Sequence, residues 1–495
     1  MYTIGYDIGS SFIKASIVDV ERGTVIARAS YPDKELPINA PVPGWAEQDP
    51  DSWWKAVKGV TSLLAAQTKV SLQDIEAIGI SYQMHGLVLV DKNGAPLRPS
   101  IIWCDSRATE IGRAAFSAIG EKTCLNEMLN SPGNFTASKL SWVRQNEPAV
   151  YSKAYKMLLP GDYIALRLTG ECRTTISGLS EGVLWNFPGA CVAEKVLSHY
   201  QLRKDLLADL VPSIGLQGYV SAAAASELSL KAGIPVSYRA GDQPNNALSL
   251  NVFEPGEIAA TAGTSGVVYA VSGNLNCDPQ SRINAFAHVN HRHDAPRVGI
   301  LLCINGTGIS NSWTRKLIGE PDLTYDEMNQ IAALSPVGSK GLSILPFGNG
   351  AERMLGDRDI GAQVHHLNFN IHAKPEVLRA VQEGVAFSFK YGIDIMESLK
   401  IHSSILKAGA ANMFLSPVFC KTLASVAGVT IELYNTDGAQ GAARAAAVGA
   451  GIVPHLQDAF KGLTALRSIE PETNKDDYLE AYNRWLAPLK RSLQS

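Results

Sequence analysis

At 495 residues, 46% of them hydrophobic, the chain is too long for one hydrophobic core, which predicts two large domains. A net charge of −3 with both signs interspersed excludes a nucleic-acid surface and a charged tail, leaving small-molecule chemistry as the expectation. Seven cysteines without framework spacing read as reduced thiols. No signal core and no run of about 18 apolar residues is present, which predicts a cytoplasmic protein without a membrane partner.

The apolar run Tyr2 to Tyr6 predicts a strand that turns through Asp7-Ile8-Gly9-Ser10-Ser11 into a second strand, Ile13 to Val18, with Thr24 to Ala29 as a third. After a proline-rich loop, Asp49 is a candidate cap and Pro50 a first-turn residue for a helix that places Trp54, Val57, Thr61 and Leu64 on one face. Ile78 to Ile80 reads as a strand, and Leu87 to Val90 with Asn93-Gly94 as a hairpin element. Between them lies a polar insert, Ser81 to Gly86. Residues 108–230 alternate helical stretches with short loops and read as packing and wall. A strand resumes near Gly233 to Val236 and runs out at Ala240-Gly241-Asp242-Gln243-Pro244, a strand-to-loop passage toward the second domain.

The second half repeats this order. Ile258 to Ala260 leads into the turn Ala262-Gly263-Thr264-Ser265-Gly266 and the run Val267 to Val271. A helix is predicted from Glu376 to Leu399, with Gly384 and Gly392 permitting close packing or a bend. Ile405 to Lys407 reads as a strand entering a small-residue turn, Ala408 to Asn412, that can receive a flat or anionic group before a helix from about Phe414. Gly438, Gly441 and the run Ala442 to Ala447 predict a tightly packed final helix.

Two glycine turns carrying hydroxyls can aim backbone amides at phosphate, because glycine admits close approach and successive amides form a nest. Gly9, Ser10 and Ser11 in one half and Gly263, Thr264 and Ser265 in the other point to a nucleotide held between domains. A carboxylate in such a loop repels phosphate unless a cation intervenes, so Asp7 points to Mg²⁺. Lys14 reads as a point charge on phosphate or an exposed strand lysine. Asp242, beside a glycine at the end of a strand, is a candidate general base or a turn residue. Met84, His85, Trp103, Asp105 and Arg107 at strand ends suit a small polyol, with a satisfied core histidine as the alternative for His85. His288, His291 and His293 lack a partner at metal spacing.

In order and spacing these segments resemble the FGGY carbohydrate kinases, relatives of actin and hexokinase, and within that family the xylulokinases. The resemblance rests on the Asp7 to Ser11 turn, Trp45-Ala46-Glu47-Gln48-Asp49-Pro50 with Trp53-Trp54, Gln83-Met84-His85-Gly86, Trp103-Cys104-Asp105-Ser106-Arg107, Phe135 to Leu140 with Trp142, Gly241-Asp242 and Gly263 to Gly266. It implies an α/β chain of two actin-like (ribonuclease H-like) domains, residues 1–242 for sugar and 243–495 for nucleotide, closing on an interdomain cleft. It also implies ATP-dependent phosphorylation of D-xylulose to D-xylulose 5-phosphate, with Asp242 as base and Asp7 holding Mg²⁺ through water. Gln83, Met84, His85, Trp103, Asp105 and Gln243 would meet the sugar, and Gly9, Ser10, Ser11, Lys14, Gly263, Thr264, Ser265, Gly409, Ala410 and Asn412 the ATP. A homodimer is expected from the same resemblance. Departures include Gln243 in place of Asn, Ala408 and Ala410 in place of glycines, and Ala351 inserted in the Gly-Glu-Arg segment, Gly350 to Arg353. The alternatives are another ketose, a pentitol or a sugar acid as substrate, and a non-catalytic sugar-responsive binding module.

Overall fold

A computed structural model describes residues 1–318 and 323–494. Two sheets dominate it, and they share one strand plan. In the first, Tyr2–Ile8, Ile13–Asp19 and Thr24–Tyr31 form an antiparallel meander. Ile75–Tyr82 then pairs parallel to the first strand, Pro235–Gly241 parallel to that, and Ile214–Tyr219 antiparallel at the edge. In the second, Ile258–Ala262, Gly266–Ser272 and Val298–Ile304 form the meander. Ile405–Gly409 and Thr430–Tyr434 add in parallel and Arg467–Ile469 closes the edge antiparallel, while Asn284–Ala287 extends the opposite edge.

Local chemistry explains the elements. The Asp49 side chain accepts from the Asp51 amide and Pro50 opens the helix Pro50–Gln67, whose Trp54, Val57, Thr61 and Leu64 are all buried. The helix Lys374–Ser398 runs unbroken through both of its glycines: a Cβ on Gly384 would lie 2.2 Å from the Ile344 carbonyl oxygen, so close packing rather than a bend requires it. Asp242 does not stand in a loop as the glycine and proline around it predict. It is the first residue of the helix Asp242–Ser249, because Gly241 is extended and Pro244 falls in the first turn, where a missing amide is harmless.

The helix Gly438–Gly449 lies against the first sheet although its sequence belongs to the second half. A Cβ on Gly5 would sit 1.9 Å from the Ala439 carbonyl oxygen, and one on Gly79 2.0 Å from that of Ala442. Hydroxyls complete the contact: Thr3 Oγ1 donates to Ala443 O at 2.8 Å and Ser237 Oγ to Ala446 O at 2.7 Å. The tight packing expected of this alanine-rich helix is present. It is not the last helix, since Leu456–Ala459 and Lys475–Gln494 come after it.

Two further contacts join the halves. The short helix Ile176–Glu181 meets the edge strand Asn284–Ala287, where Ser177 Oγ donates to Ala287 O at 3.2 Å and the Ala287 amide to Ser180 Oγ at 2.9 Å. Arg353 reaches across to Asn130 Oδ1 at 2.9 Å and also binds Ser281 Oγ at 3.1 Å, with its guanidinium over the Phe135 ring.

Candidate active site

The parallel strands of the first sheet end level with one another, Ile8 beside Tyr82 and Tyr82 beside Gly241. The residues just beyond the three strand ends are therefore brought to one place, the usual location of sites in open α/β sheets. They are the turn Gly9 to Phe12, the insert Gln83 to Gly86, and Asp242. Register does the same for Asp7, flanked by Ser81 on one side and Lys14 on the other. Ser81 Oγ donates to Asp7 Oδ1 at 2.7 Å, and a Cβ on Gly438 would meet Asp7 Oδ2 at 2.9 Å.

The two carboxyl groups feel each other. Burial and then the Asp7 charge push Asp242 up to about 7, while hydrogen bonds from Gln243 pull the other way. Burial also raises Asp7, opposed by Ser81 and Lys14. Asp242 is thereby poised to exchange a proton near neutrality.

In the first turn the Gly9 amide is taken by Asp7 O at 3.2 Å and Phe12 O at 3.1 Å, which leaves the Ser10 and Ser11 amides without a partner among the described residues. In the second, the carbonyls of Gly263 and Thr264 accept from the Gly308 and Ile309 amides at 2.9 and 3.2 Å, and the Thr264 and Ser265 amides are likewise free among the described residues. Asn412, in left-handed backbone at φ 55°, adjoins this turn: its Nδ2 would lie 3.6 Å from a Cβ on Gly263. Gly409 has no atom within 4 Å on its Cβ side and Ala410 is partly exposed, so the turn is open. The structure therefore gathers the predicted nucleotide residues of the second half together.

The predicted sugar residues divide. His85 and Gln243 are partly exposed, and Met84 packs against Gly241. Trp103 is half exposed, its Nε1 3.4 Å from Ser10 Oγ, which puts it at the first turn. Gln83 and Asp105 lie behind. The Gln83 amide turns to Gln48 at 3.3 Å. Asp105 is fully buried, its oxygens taken by Arg107 and by the Ala46 amide at 2.6 Å, so no carboxylate lone pair is left to face a sugar. Arg107 in turn stacks on Trp45 at 3.8 Å, and the two residues brace the loop that carries Trp103.

Two groups at the site come from the stretch read as mere wall. Lys139 is buried, its Nζ donating to His85 O and Ile102 O at 2.9 Å each, and burial lowers it to about 8. Glu181 is buried beside His85 and its carboxyl is held well above the usual carboxylate range, first by burial. A lysine within the small residues Thr136 to Leu140 is the one sequence signal of this arrangement.

For a cation, Asp7 supplies one oxygen, Oδ2, without a hydrogen bond among the described residues, and Asp242 lies within its field. Among the described residues no group of three or more His, Cys, Asp or Glu side chains could hold a metal ion. One carboxylate completed by phosphate and water is a donor set that suits Mg²⁺.

Models of the N-terminal and C-terminal domains of the FGGY family of carbohydrate kinases match residues 2–249 and 258–450. The chain is 30% identical to the xylulose kinase of Escherichia coli K12 over 486 residues, covering 95% of each. It is also 30% identical to the xylulose kinase of Staphylococcus epidermidis ATCC 12228 over 97% of this chain and 94% of the relative. Among solved structures, a xyloylose kinase from Brucella ovis superposes with a TM-score of 0.90 at 28% identity over 100% of both chains. A gluconate kinase from Lactobacillus acidophilus reaches 0.91 at 22% identity, covering 100% of this chain and 98% of its own, a likeness of fold. The two sheets of one plan are thus the two actin-like domains of these enzymes, and the chain belongs to the FGGY family of carbohydrate kinases.

Proposed function

We propose that this carbohydrate kinase transfers the γ-phosphoryl group of ATP to the C5 hydroxyl of D-xylulose, giving ADP and D-xylulose 5-phosphate. The observation that carries the chemistry is the carboxyl group of Asp242, raised to about 7 beside Asp7 at the level ends of three strands. Its ionised form accepts the hydroxyl proton as the oxygen attacks phosphorus, and little else is asked of protein side chains in phosphoryl transfer. The free amides of Ser10, Ser11, Thr264 and Ser265 take the phosphates, Lys14 adds a point charge, and Gly409, Ala410 and Asn412 border the adenosine. Bound by Asp7 and the phosphates, Mg²⁺ would supply charge neutralisation on the transferring group. Met84, His85, Trp103 and Gln243 line the sugar side, with Gln83 and Asp105 supporting them from behind.

The choice of substrate rests on the relatives, which are xylulose kinases by name. It is tested by ADP release with Mg-ATP against D-xylulose, L-xylulose, D-ribulose, L-ribulose, glycerol, gluconate and no sugar. Selective release with D-xylulose is expected. Equal release with every sugar, or none above the sugar-free rate, overturns the assignment.

A further inference from the structure

Apart from the two large sheets, the strands Ser343–Phe347 and Gly361–His365 form a small antiparallel pair. Left-handed backbone at Gly361 and His366, φ 65° and 62°, bounds the second strand at its two ends. The first strand is closed on its far side. There the Ile344 carbonyl accepts from Trp485 Nε1 at 2.8 Å, and the Pro346 carbonyl is pressed against Gly306, where a Cβ would not fit. Pro346 also has no N–H to give. Neither residue therefore bonds across the pair, which makes Ile344–Val364 and Pro346–Ala362 the non-bonded positions of the ladder. Ala362 and Val364 thus turn their N–H and C=O groups outward, and none of the four has a partner among the described residues.

An open strand edge is a template for another strand, and folded proteins blunt such edges with lysine, proline or a bulge. This edge has none of them. Residues 360–373 contain no Asp, Glu, Lys or Arg, and the strand pairs with its neighbour without a shift in register. Apolar side chains accompany it instead. Val364, Leu367 and Ile371 are exposed, and Phe369 is 90% exposed. Two edges of this length fall short of the about 800 Å² per partner that a stable dimer buries, but one buried aromatic ring adds about 150–250 Å². Leu367, Phe369 and Ile371 follow the strand directly and extend the area beyond the backbone.

We infer that this edge is a two-fold interface between two copies of the chain. Antiparallel pairing about an axis at Gln363 sets Ala362 of each copy against Val364 of the other and satisfies all four outward groups on both. The small pair becomes a continuous four-stranded sheet, flanked by the apolar side chains that follow it. A second copy is the occupant that fits, because the two edges carry the same deficit and an uncharged run brings no like charges together.

The test is the mass of the full chain in solution, by sedimentation equilibrium. At about 10 µM it should sediment as twice its 53.1 kDa; a species of 53.1 kDa at that concentration overturns the inference. Val364→Lys charges the edge while leaving the bonds to Ser343–Phe347 in place, and should weaken the dimer about a hundredfold. Phe369→Asp, at a side chain already in water, should also weaken it and serves alone if the lysine variant does not fold. Variants that dimerise like the wild type put the interface elsewhere and overturn the assignment. Gln363→Cys reads the register, since the Cα atoms of a non-bonded pair lie about 4.5 Å apart, within reach of a disulfide. Mild oxidation should lock this variant as a covalent dimer above the background set by the exposed Cys104 and Cys191 of the wild type. A dimer that it fails to lock overturns the pairing about Gln363. No sugar or nucleotide enters these measurements, so they stand whatever the outcome of the kinase assay.

Discussion

The two glycine turns occupy equivalent places in two sheets of one strand plan, yet they are built for different work. The first carries Asp7 at its root, with Ser81 and Lys14 on the flanking strands and Asp242 within range of its charge. The second carries no carboxylate at all, only Thr264 and Ser265 with free amides and an open flank toward Asn412. In the function proposed above, this duplicated backbone geometry supplies two phosphate nests, and the placing of carboxylates in one of them separates the half that performs chemistry from the half that holds the nucleotide.

The sharpest way to break this comparison is Asp242→Asn, which should lower kcat by about 10²–10⁴-fold, the usual worth of a positioned base. Sugar affinity by calorimetry should survive. Wild-type turnover in this variant would take Asp242 out of the reaction. Next, Asp7→Asn should raise the Mg²⁺ concentration for half-maximal rate by about tenfold or more, the effect of losing roughly 1.4 kcal/mol of binding. An unchanged Mg²⁺ requirement would put the cation elsewhere.

The pH profile sharpens the same point. The base works ionised, so kcat/KM for the sugar should fall as pH drops through about 7, ten-fold per pH unit in the limit. Because the Asp7 charge raises Asp242, Asp7→Asn should move that limb to lower pH; a limb that stays in place denies the coupling. For stability the sign is opposite to the usual paired carboxylate. A group raised on folding is more comfortable protonated, so its ionisation subtracts stability as pH climbs from 3.8 toward 7.

The smallest effects separate the two turns sterically. A Cβ on Gly263 meets nothing closer than 3.6 Å, so Gly263→Ala should leave Tm unchanged and raise KM for ATP only a few-fold, read by differential scanning fluorimetry and initial rates. A Cβ on Gly9 would stand 2.8 Å from the Phe12 carbonyl oxygen, so Gly9→Ala should lower Tm measurably. Equal behaviour of the two variants would erase the distinction.

Much of this was legible in the chain. Strand alternation and turn glycines located the first meander and the hairpin that opens the second, though not its third strand Val298–Ile304, and the Asp49-Pro50 cap located the first helix, because those signals are local. Asp7 and Asp242 could be singled out since each lies within two residues of a glycine at the end of an apolar run. Asp105 misled for the same reason: it too stands at a strand end, and only the fold shows Arg107 and Ala46 closing over its oxygens. Glu181 was illegible, and Lys139 showed only as a lysine among the residues Thr136 to Leu140, because their meaning lies in contacts made over long sequence distances, 54 residues from Lys139 to His85 and 96 from Glu181. The helix Gly438–Gly449 announced tight packing by composition, but not which sheet it would cover.

The helix Gly438–Gly449 bears on how the chain can be divided. A protein cut in the connection between residues 249 and 258 separates two stretches that each match their own family model. The first fragment would nevertheless emerge with Gly5 and Gly79 facing water, its sheet stripped of the backbone that fits those gaps, and the second would carry that helix with no surface to lie on. Coexpressed, the two pieces should find each other through this shared surface. Expressed singly, each should aggregate, so a split reporter of chain association is already latent in the fold.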